Sequence, residues 1–323
     1  MQTLQQIFHT IQTLFDNETF LSEPKQLYAP IDYTLRLGGK RLRPALLLAS
    51  CEMMDGDRRD AESAAVGIET FHNFTLLHDD VMDRSPLRRG KATVWAKWNT
   101  NTAILSGDTM YAVAWRYFLR QPHKNLHAIL NCFNETAIEV CEGQQYDMEF
   151  ESRSDVSIDE YMSMIRKKTA VLLAGAMKIG ALYADASAED LQRIYNCGID
   201  MGLAFQIQDD LLDAYGDQQT FGKPVGQDIR DHKKTYLYLN ALEIAPTLER
   251  KKLEKLYSTN THTEQTVDEI LRIYDDLGIK SVVTNAIDRL LASANDELLK
   301  INAPKENKKP LHDIMSKLAN RQH

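Results

Sequence analysis

Cysteine is scarce and scattered. The four in 323 residues, Cys51, Cys132, Cys141 and Cys197, show neither CxxC nor Cys/His spacing, so the chain offers no zinc module or disulfide framework. Basic charge is in deficit: 38 Lys and Arg face 46 Asp and Glu, leaving a net charge of -8. That balance argues against a general nucleic-acid binder but leaves room for a local basic pocket. No run of about 18 apolar residues exists, so no membrane span is expected. The opening "MQTLQQIFHTIQTLF" lacks the basic start and unbroken apolar stretch of a signal peptide. Scattered thiols in an acidic chain fit a reducing cytoplasm, the expected location. No repeat of 20–50 residues and no sharp break in composition appears. A single domain over residues 1–323 is therefore expected, its core supplied by an apolar fraction of 43%. No Ser/His/Asp or Cys/His nucleophile set stands out.

Helical periodicity is what the chain has in abundance. Leu4, Ile7, Phe8, Ile11 and Leu14 recur at spacings of three and four, the stripe of an amphipathic helix. "TLERKKLEKLYS" and "EQTVDEILRIYDDLG" repeat the pattern, with Gly278 placed to end a helix. Ser157 with Glu160 spells a capping box before "YMSMIRKKTAVLLAGAMKIG", and Ser187 with Asp190 marks another start. No convincing alternating segment suggests a strand. The expected class is all-α, with ten or more helices given a mean length of about 11–12 residues. Two segments read as functional loops: "DRSPLRRGKAT" at 83–93 and "YGDQQTFGKPVGQD" at 215–228, where Gly216, Gly222, Pro224 and Gly226 oppose a helix. "NAPKENKKP" reads as a polar linker before a short last helix.

Within this helical background one pattern occurs twice. "HDDVMD" at 78–83 and "QDDLLD" at 208–213 both place Asp-Asp-x-x-Asp in an apolar run. At about 100° per residue, Asp83 falls about 40° from Asp79 and one turn along, and Asp213 stands likewise to Asp209. Such stacked carboxylates repel unless a cation lies between them. Hard oxygen donors in ones and twos suit Mg²⁺, which takes its remaining ligands from phosphates and water. An acidic surface face is the plainer explanation. With 27 aspartates in the chain, a single chance match is expected about one time in five, but two only about one in fifty. The apolar flanks Leu76, Leu77, Val81, Ile207, Leu211 and Leu212 also argue against a solvated face. "YDDLG" at 274–278, with no third aspartate, reads as surface.

Cations cluster around these motifs. "GGKRLRP" puts Lys40, Arg41 and Arg43 behind two glycines, without the GxxxxGK[ST] spacing of a Walker A loop. Arg88 and Arg89 follow the first acidic motif; Lys168, Lys223, Lys233 and Lys234 lie further on. Each alone reads as surface charge, but with two carboxylate clusters they suggest two phosphate-bearing ligands, one bridged by metal and one held directly by Arg and Lys. Counting back from Asp79, Phe71, Phe74 and Thr75 fall within about 140° on one side of the helix. They are expected to wall an apolar slot below the metal, with plain core packing an equal reading for the two phenylalanines.

In this order, GGKRLRP, Glu69-x-x-His72, HDDVMD, RRGK, Gly107-Asp108-Thr109, GQQYD at 143–147, KKTA, FQIQDDLLD and GKPVGQD, the chain resembles the trans-isoprenyl diphosphate synthases. The likeness covers roughly residues 35–240. It implies antiparallel helices around a central cavity, the isoprenoid synthase fold, and a homodimer. It implies Mg²⁺, three ions per site, on Asp79, Asp83 and Asp209 with Asp213, supported by Asp80 and Asp210. Arg88, Lys168 and Lys234 are implied to hold the allylic diphosphate, and Lys40, Arg43, His72 and Arg89 isopentenyl diphosphate. Thr169 and Gln206 are implied to face the developing carbocation. Gln144 and Asp147 match lining positions, and Lys223 with Asp228 a loop that closes over the site.

The implied chemistry is ionisation of the allylic C–O bond, attack by the isopentenyl double bond, and proton loss to the departed diphosphate, with water excluded. In this family a bulky residue five before the first aspartate favours short products. That residue is Phe74, followed by Thr75, and the motif lacks a two-residue insertion. The expected product is C15–C20, geranylgeranyl ahead of farnesyl diphosphate. A terpene cyclase and a non-catalytic, length-setting subunit are the alternatives. "QDDLLD" with "GGKRLRP" opposes the first, and retention of both acidic motifs opposes the second.

Overall fold

Apolar residues three and four apart form helices along nearly all of the chain. A computed structural model describes residues 2–216, 226–258 and 263–319. Its helices are α1 (Leu4–Asn17), α2 (Lys25–Arg36), α3 (Leu42–Met53), α4 (Arg58–Met82), α5 (Val94–Lys97), α6 (Thr100–Phe118), α7 (Leu126–Ser152), α8 (Ile158–Ile165), α9 (Val171–Tyr183) and α10 (Ala188–Tyr215). There follow α11 (Gln227–Arg230), α12 (Tyr236–Ile244), α13 (Thr247–Tyr257), α14 (Glu264–Asp276), α15 (Ile279–Lys300) and α16 (Lys309–Ala319). The all-α expectation holds. Two-residue strands, β1 (Leu87–Arg88) and β2 (Lys91–Ala92), pair antiparallel. No described helix is long and apolar enough to cross a membrane.

Local signals behave as their chemistry dictates. The stripe of α1 buries Leu4, Ile7, Ile11 and Phe15, with Phe8 and Leu14 at its half-buried margin. Ser157 and Glu160 form the reciprocal capping box at the start of α8. Ser187 Oγ accepts from the Asp190 N–H and opens α10. Gly278 takes φ +67 between α14 and α15, and Asp275 and Asp276 are exposed. One expectation needs correction. "YMSMIRKKTAVLLAGAMKIG" is not one regular helix, because Arg166–Ala170 forms a π-helical turn between α8 and α9. The linker before α16 contains a 3₁₀ turn, Lys305–Lys308.

The chain divides into two compact units. One comprises Met1–Phe133, Ala176–Gln192 and Asn302–Leu311; the other comprises Asn134–Gly175, Arg193–Ile301 and His312–His323. In the first, α4 runs antiparallel to α6 in a definite register. His78 meets Gly107, Phe74 meets Tyr111, and Gly67 meets Phe118. The glycines set that register. A Cβ at Gly107 would lie 2.2 Å from His78 Nε2, and one at Gly67 3.1 Å from the Ala114 carbonyl and Phe118. In the second unit, Tyr161, Ile165, Ile207, Leu237, Leu253, Ile270 and Tyr274 belong to one buried apolar cluster.

Candidate active site

In the first unit, α4 ends in the first acidic motif. Asp79 and Asp80 lie in its last turn and Asp83 caps it, donating its N–H to the Asp79 carbonyl at 2.8 Å. Asp79 is half-buried, Asp83 exposed and Asp80 only 5% exposed. The following hairpin turns tightly because Arg89 and Gly90 take φ +52 and +71, the two-residue geometry that matches strand twist. Thr93 Oγ1 and Trp95 Nε1 both donate to the Ser85 carbonyl, at 2.8 and 2.9 Å. Tyr33 OH donates to the Ala92 carbonyl at 2.8 Å. So anchored, Arg88 donates Nε to Asp80 Oδ1 at 2.7 Å. Burial pushes the Asp80 carboxyl up to about 6; Arg88 opposes this, while Asp79 and Asp83 add to it.

Arg89 points elsewhere. Gly38 and Gly39 take φ +74 and +138, and a Cβ on Gly39 would fall 2.6 Å from Arg89 Cζ. Only glycine lets this loop seat the guanidinium against its backbone. Arg41 is committed to α1: it lies 4.1 Å over the Phe15 ring and donates to Gln12 Oε1 at 3.0 Å. Lys40 is exposed, while Arg43 and His72 are half-buried. Burial, then Arg43, Arg89 and Arg88, hold the His72 imidazole well below its usual range, so it is neutral near pH 7.

The side chains expected to wall a slot separate into two roles. Phe74 is half-buried, edge-on to His78 at 4.8 Å and tilted against Tyr111 and Phe71, each at 5.5 Å. Phe71 has no accessible surface and packs on Phe74, Tyr111 and Phe133. It is wholly buried among those rings, the core packing that was the equal reading, so it lines no surface and its expected place in a slot wall is corrected. Thr75 is half-buried, with its hydroxyl donated to the His72 carbonyl at 2.8 Å.

In the second unit, α10 carries Gln206, Asp209, Asp210 and Asp213. Asp209 is half-buried; Asp210 and Asp213 are 5% and 8% exposed. Asp210 Oδ2 accepts from Tyr161 OH and, at 3.2 Å, from the Tyr236 N–H. Its Oδ1 accepts from Gln206 Nε2 at 3.2 Å, and Gln206 Oε1 accepts from Thr169 Oγ1 at 2.9 Å. Burial and then Asp228 raise the Asp210 carboxyl, against those donors. Asp213 Oδ2 accepts the Asp228 N–H at 3.0 Å. That contact ties Asp213 to α11.

The π turn presents Lys168 and Thr169. Lys168 donates Nζ to Asp147 Oδ2 at 2.6 Å. Burial alone would raise the Asp147 carboxyl, but Lys168 and Lys233 outweigh it and hold it below its usual range. Gly143 on α7 makes room for the turn: a Cβ there would lie 2.2 Å from the Lys168 nitrogen. Lys234 donates to the Glu151 carbonyl at 2.7 Å, and burial lowers its ammonium, with Glu151 opposing. Lys168, Thr169, Gln206, Asp210, Asp147, Asp228 and Lys234 line a common pocket, joined by Tyr161, Lys233 and Thr235. Tyr161 and Thr235 escape a sequence reading, because an isolated Tyr or Thr near a helix start carries no distinguishing pattern. Gln144 is half-buried on α7. Lys223 lies outside the described residues.

Donor chemistry is compatible with Mg²⁺. Each triplet offers carboxylate oxygens, although no group of three His, Cys, Asp or Glu among the described residues is gathered to hold a metal ion by itself. Sparse hard-oxygen ligation is what Mg²⁺ accepts when phosphates and waters complete its shell.

Helices ending in paired aspartate triplets, each with cations beside it, define the class: an all-α isoprenoid synthase. Residues 24–274 match the family model described as "Polyprenyl synthetase". The chain belongs to that family. It is 38% identical over 257 residues to a short chain isoprenyl diphosphate synthase of Methanocaldococcus jannaschii, covering 79% of this chain and 78% of that one. It is 41% identical over 239 residues to a geranylfarnesyl diphosphate synthase of Natronomonas pharaonis, covering 68% and 70%. A crystal structure of a geranylgeranyl pyrophosphate synthase superposes with TM-score 0.94 at 42% identity, covering all of both chains.

Proposed function

We propose that this short-chain trans-prenyltransferase condenses isopentenyl diphosphate with an allylic diphosphate to give an all-trans C15–C20 product, geranylgeranyl ahead of farnesyl diphosphate. The observation that carries the reading is the pair of aspartate triplets, one at the end of α4 and one near the end of α10, each with a buried central carboxylate. The central aspartates are spent on protein donors, Asp80 on Arg88 and Asp210 on Tyr161, Gln206 and the Tyr236 N–H. Asp79 and Asp209 stand beside them, half-buried. Asp79, Asp83 and Asp209 would hold Mg²⁺, which when bound supplies positive charge to the leaving diphosphate.

The chain's own residues do the rest. Arg88, Lys168 and Lys234 bind the allylic diphosphate, while Lys40, Arg43, neutral His72 and Arg89 bind isopentenyl diphosphate. Thr169 and Gln206 turn oxygens toward the allylic cation, fixed by the chain of hydrogen bonds to Asp210. We read residues 1–323 as one synthase domain, acting as a cytoplasmic homodimer. Similar relatives carry the names of C20 and C25 synthases, so family likeness alone does not set length; the ring of Phe74, held by three others, supports a short stop. Incubating the protein with Mg²⁺, dimethylallyl and isopentenyl diphosphates and sizing the products tests this. A C20 or C15 product is expected. Products of C30 or longer overturn the length, and no prenyl product overturns the reaction.

A further inference from the structure

One strained turn in the second unit has no part in the reaction described above. The short helix α11 ends in a pair of hydrogen bonds: the His232 N–H donates to the Ile229 carbonyl at 3.1 Å, and the Lys233 N–H to the Asp228 carbonyl at 2.9 Å. This is the Schellman pattern, whose left-handed residue is ordinarily glycine. Here it is His232, with φ +56, a conformation unfavourable for any residue with a Cβ. The side chain shows what offsets the strain. His232 Nδ1 lies 2.7 Å from the Tyr257 carbonyl; a carbonyl only accepts, so Nδ1 carries the proton and donates. Tyr257 is the last residue of α13, and its carbonyl is among those a helix leaves without an internal partner. The anchor is itself fixed, since the Tyr257 ring stacks on Tyr238 at 3.8 Å and its hydroxyl meets Tyr274 OH at 2.8 Å.

We propose that His232 is a positioning residue: its tie to the end of α13 fixes where the chain leaves α11, and so places Lys234 in the pocket to receive the allylic diphosphate. Lys233 and Lys234 follow His232 directly, and both line that pocket with Asp228 and Thr235. On either side the segment is stitched to α10: the Asp228 N–H donates to Asp213 Oδ2 at 3.0 Å, and the Tyr236 N–H to Asp210 Oδ2 at 3.2 Å. Between those two points the His232 ring adds a tie to α13. A lysine ammonium is a point charge on a flexible stem, so a fixed backbone origin is what preorganises it for an anion. Glycine at 232 would make the same turn without strain, but would leave the turn untied.

The proposal rests on assigning Lys234 to the allylic diphosphate, so the experiment tests both. Steady-state condensation is measured with each substrate varied in turn, for wild type, His232→Gly, His232→Asn, Lys234→Ala and the double variant of His232→Gly with Lys234→Ala, with melting temperatures alongside. His232→Gly fits the left-handed turn and removes the ring. It is expected to raise the allylic KM about fivefold, the loss of a uniform binding contribution, with kcat and the isopentenyl KM little changed and the melting temperature held. His232→Asn tolerates the left-handed turn and carries an N–H as many bonds from Cβ as Nδ1. It is expected to keep most of the affinity. Added to Lys234→Ala, His232→Gly is expected to change the allylic KM little, because the group it places is gone. An unchanged allylic KM in His232→Gly overturns the proposal. So do equal losses on both substrates, His232→Asn behaving like His232→Gly, or full additivity in the double variant. If Lys234→Ala alone leaves the allylic KM unchanged, the assignment of Lys234 is overturned instead.

Discussion

Gly143→Ala isolates the π turn from everything else in the second unit. The added Cβ would sit 2.2 Å from the Lys168 nitrogen and 2.6 Å from its Cα. Both neighbours are backbone, so no side chain can swing aside. Restoring ordinary van der Waals contact at 3.4 Å or more moves the turn by about 1.2 Å relative to α7. Overpacking of this kind costs about 1–3 kcal/mol of stability. The kinetic effect should be sharper, since the turn presents Lys168 and Thr169 together. A misplacement of about 1 Å costs on the order of 100-fold in rate, or about 2.7 kcal/mol of barrier. Condensation kinetics with the allylic substrate varied, with thermal unfolding in parallel, measure both. Gly278→Ala is the control. It has φ +67 with nothing within 4 Å, so it should lose about 1–2 kcal/mol of stability and no activity. Wild-type kcat/KM in Gly143→Ala would refute the reasoning.

Other perturbations act at single groups. Phe74→Ala should shift the product to C25 or longer on product sizing, and an unchanged length would make Phe74 ordinary core. Asp79→Ala and Asp209→Ala should each abolish Mg²⁺-dependent condensation, and full activity in either would remove that aspartate from the metal assignment. Tyr161→Phe takes one donor from buried Asp210 and should lower stability by about 1–3 kcal/mol, read as a shift in the urea midpoint; no shift means that bond contributes nothing net. His72 has a depressed folded pKa, so its contribution to stability is present above the unfolded value of about 6.5 and lost as pH falls below it. Between pH 7 and 5.5 wild type should lose up to about 1.4 kcal/mol per pH unit more than His72→Gln, and parallel profiles would show that His72 protonates freely in the fold.

The α4 helix and its acidic end were legible because they rest on period and spacing. Apolar steps of three and four define the helix, and Asp79 to Asp83 is one turn on any helix. The π turn was not legible, since "RKKTA" has ordinary helical propensity and its insertion is fixed by Gly143 on a different helix. The hairpin was missed for a related reason. Arg89–Gly90 is not an Asn-Gly or Asp-Gly turn, and its strands are two residues long, too short for alternation to register. Spacing also overstated Phe71. A helical wheel gives direction from the axis, but burial and partners, here Phe133, decide what a side chain has left to offer.

The close succession of acid and base in residues 79–89 follows from that distinction. Three carboxylates packed at a helix end repel one another, and the middle one is buried. Arg88 neutralises it from the hairpin. Arg89, one residue on, takes the left-handed φ of the turn and therefore leaves in another direction, toward the Gly39 backbone. Adjacent arginines thus serve different partners because the sign of one backbone angle differs. An Ala at Gly90 would strain that turn without touching any neighbour. The two arginines would lose their separate aims before any contact was removed, and both substrates should weaken together. A Gly90→Ala variant that weakened only one of them would show that the arginines are held by their partners, Asp80 and Gly39, and not by the turn.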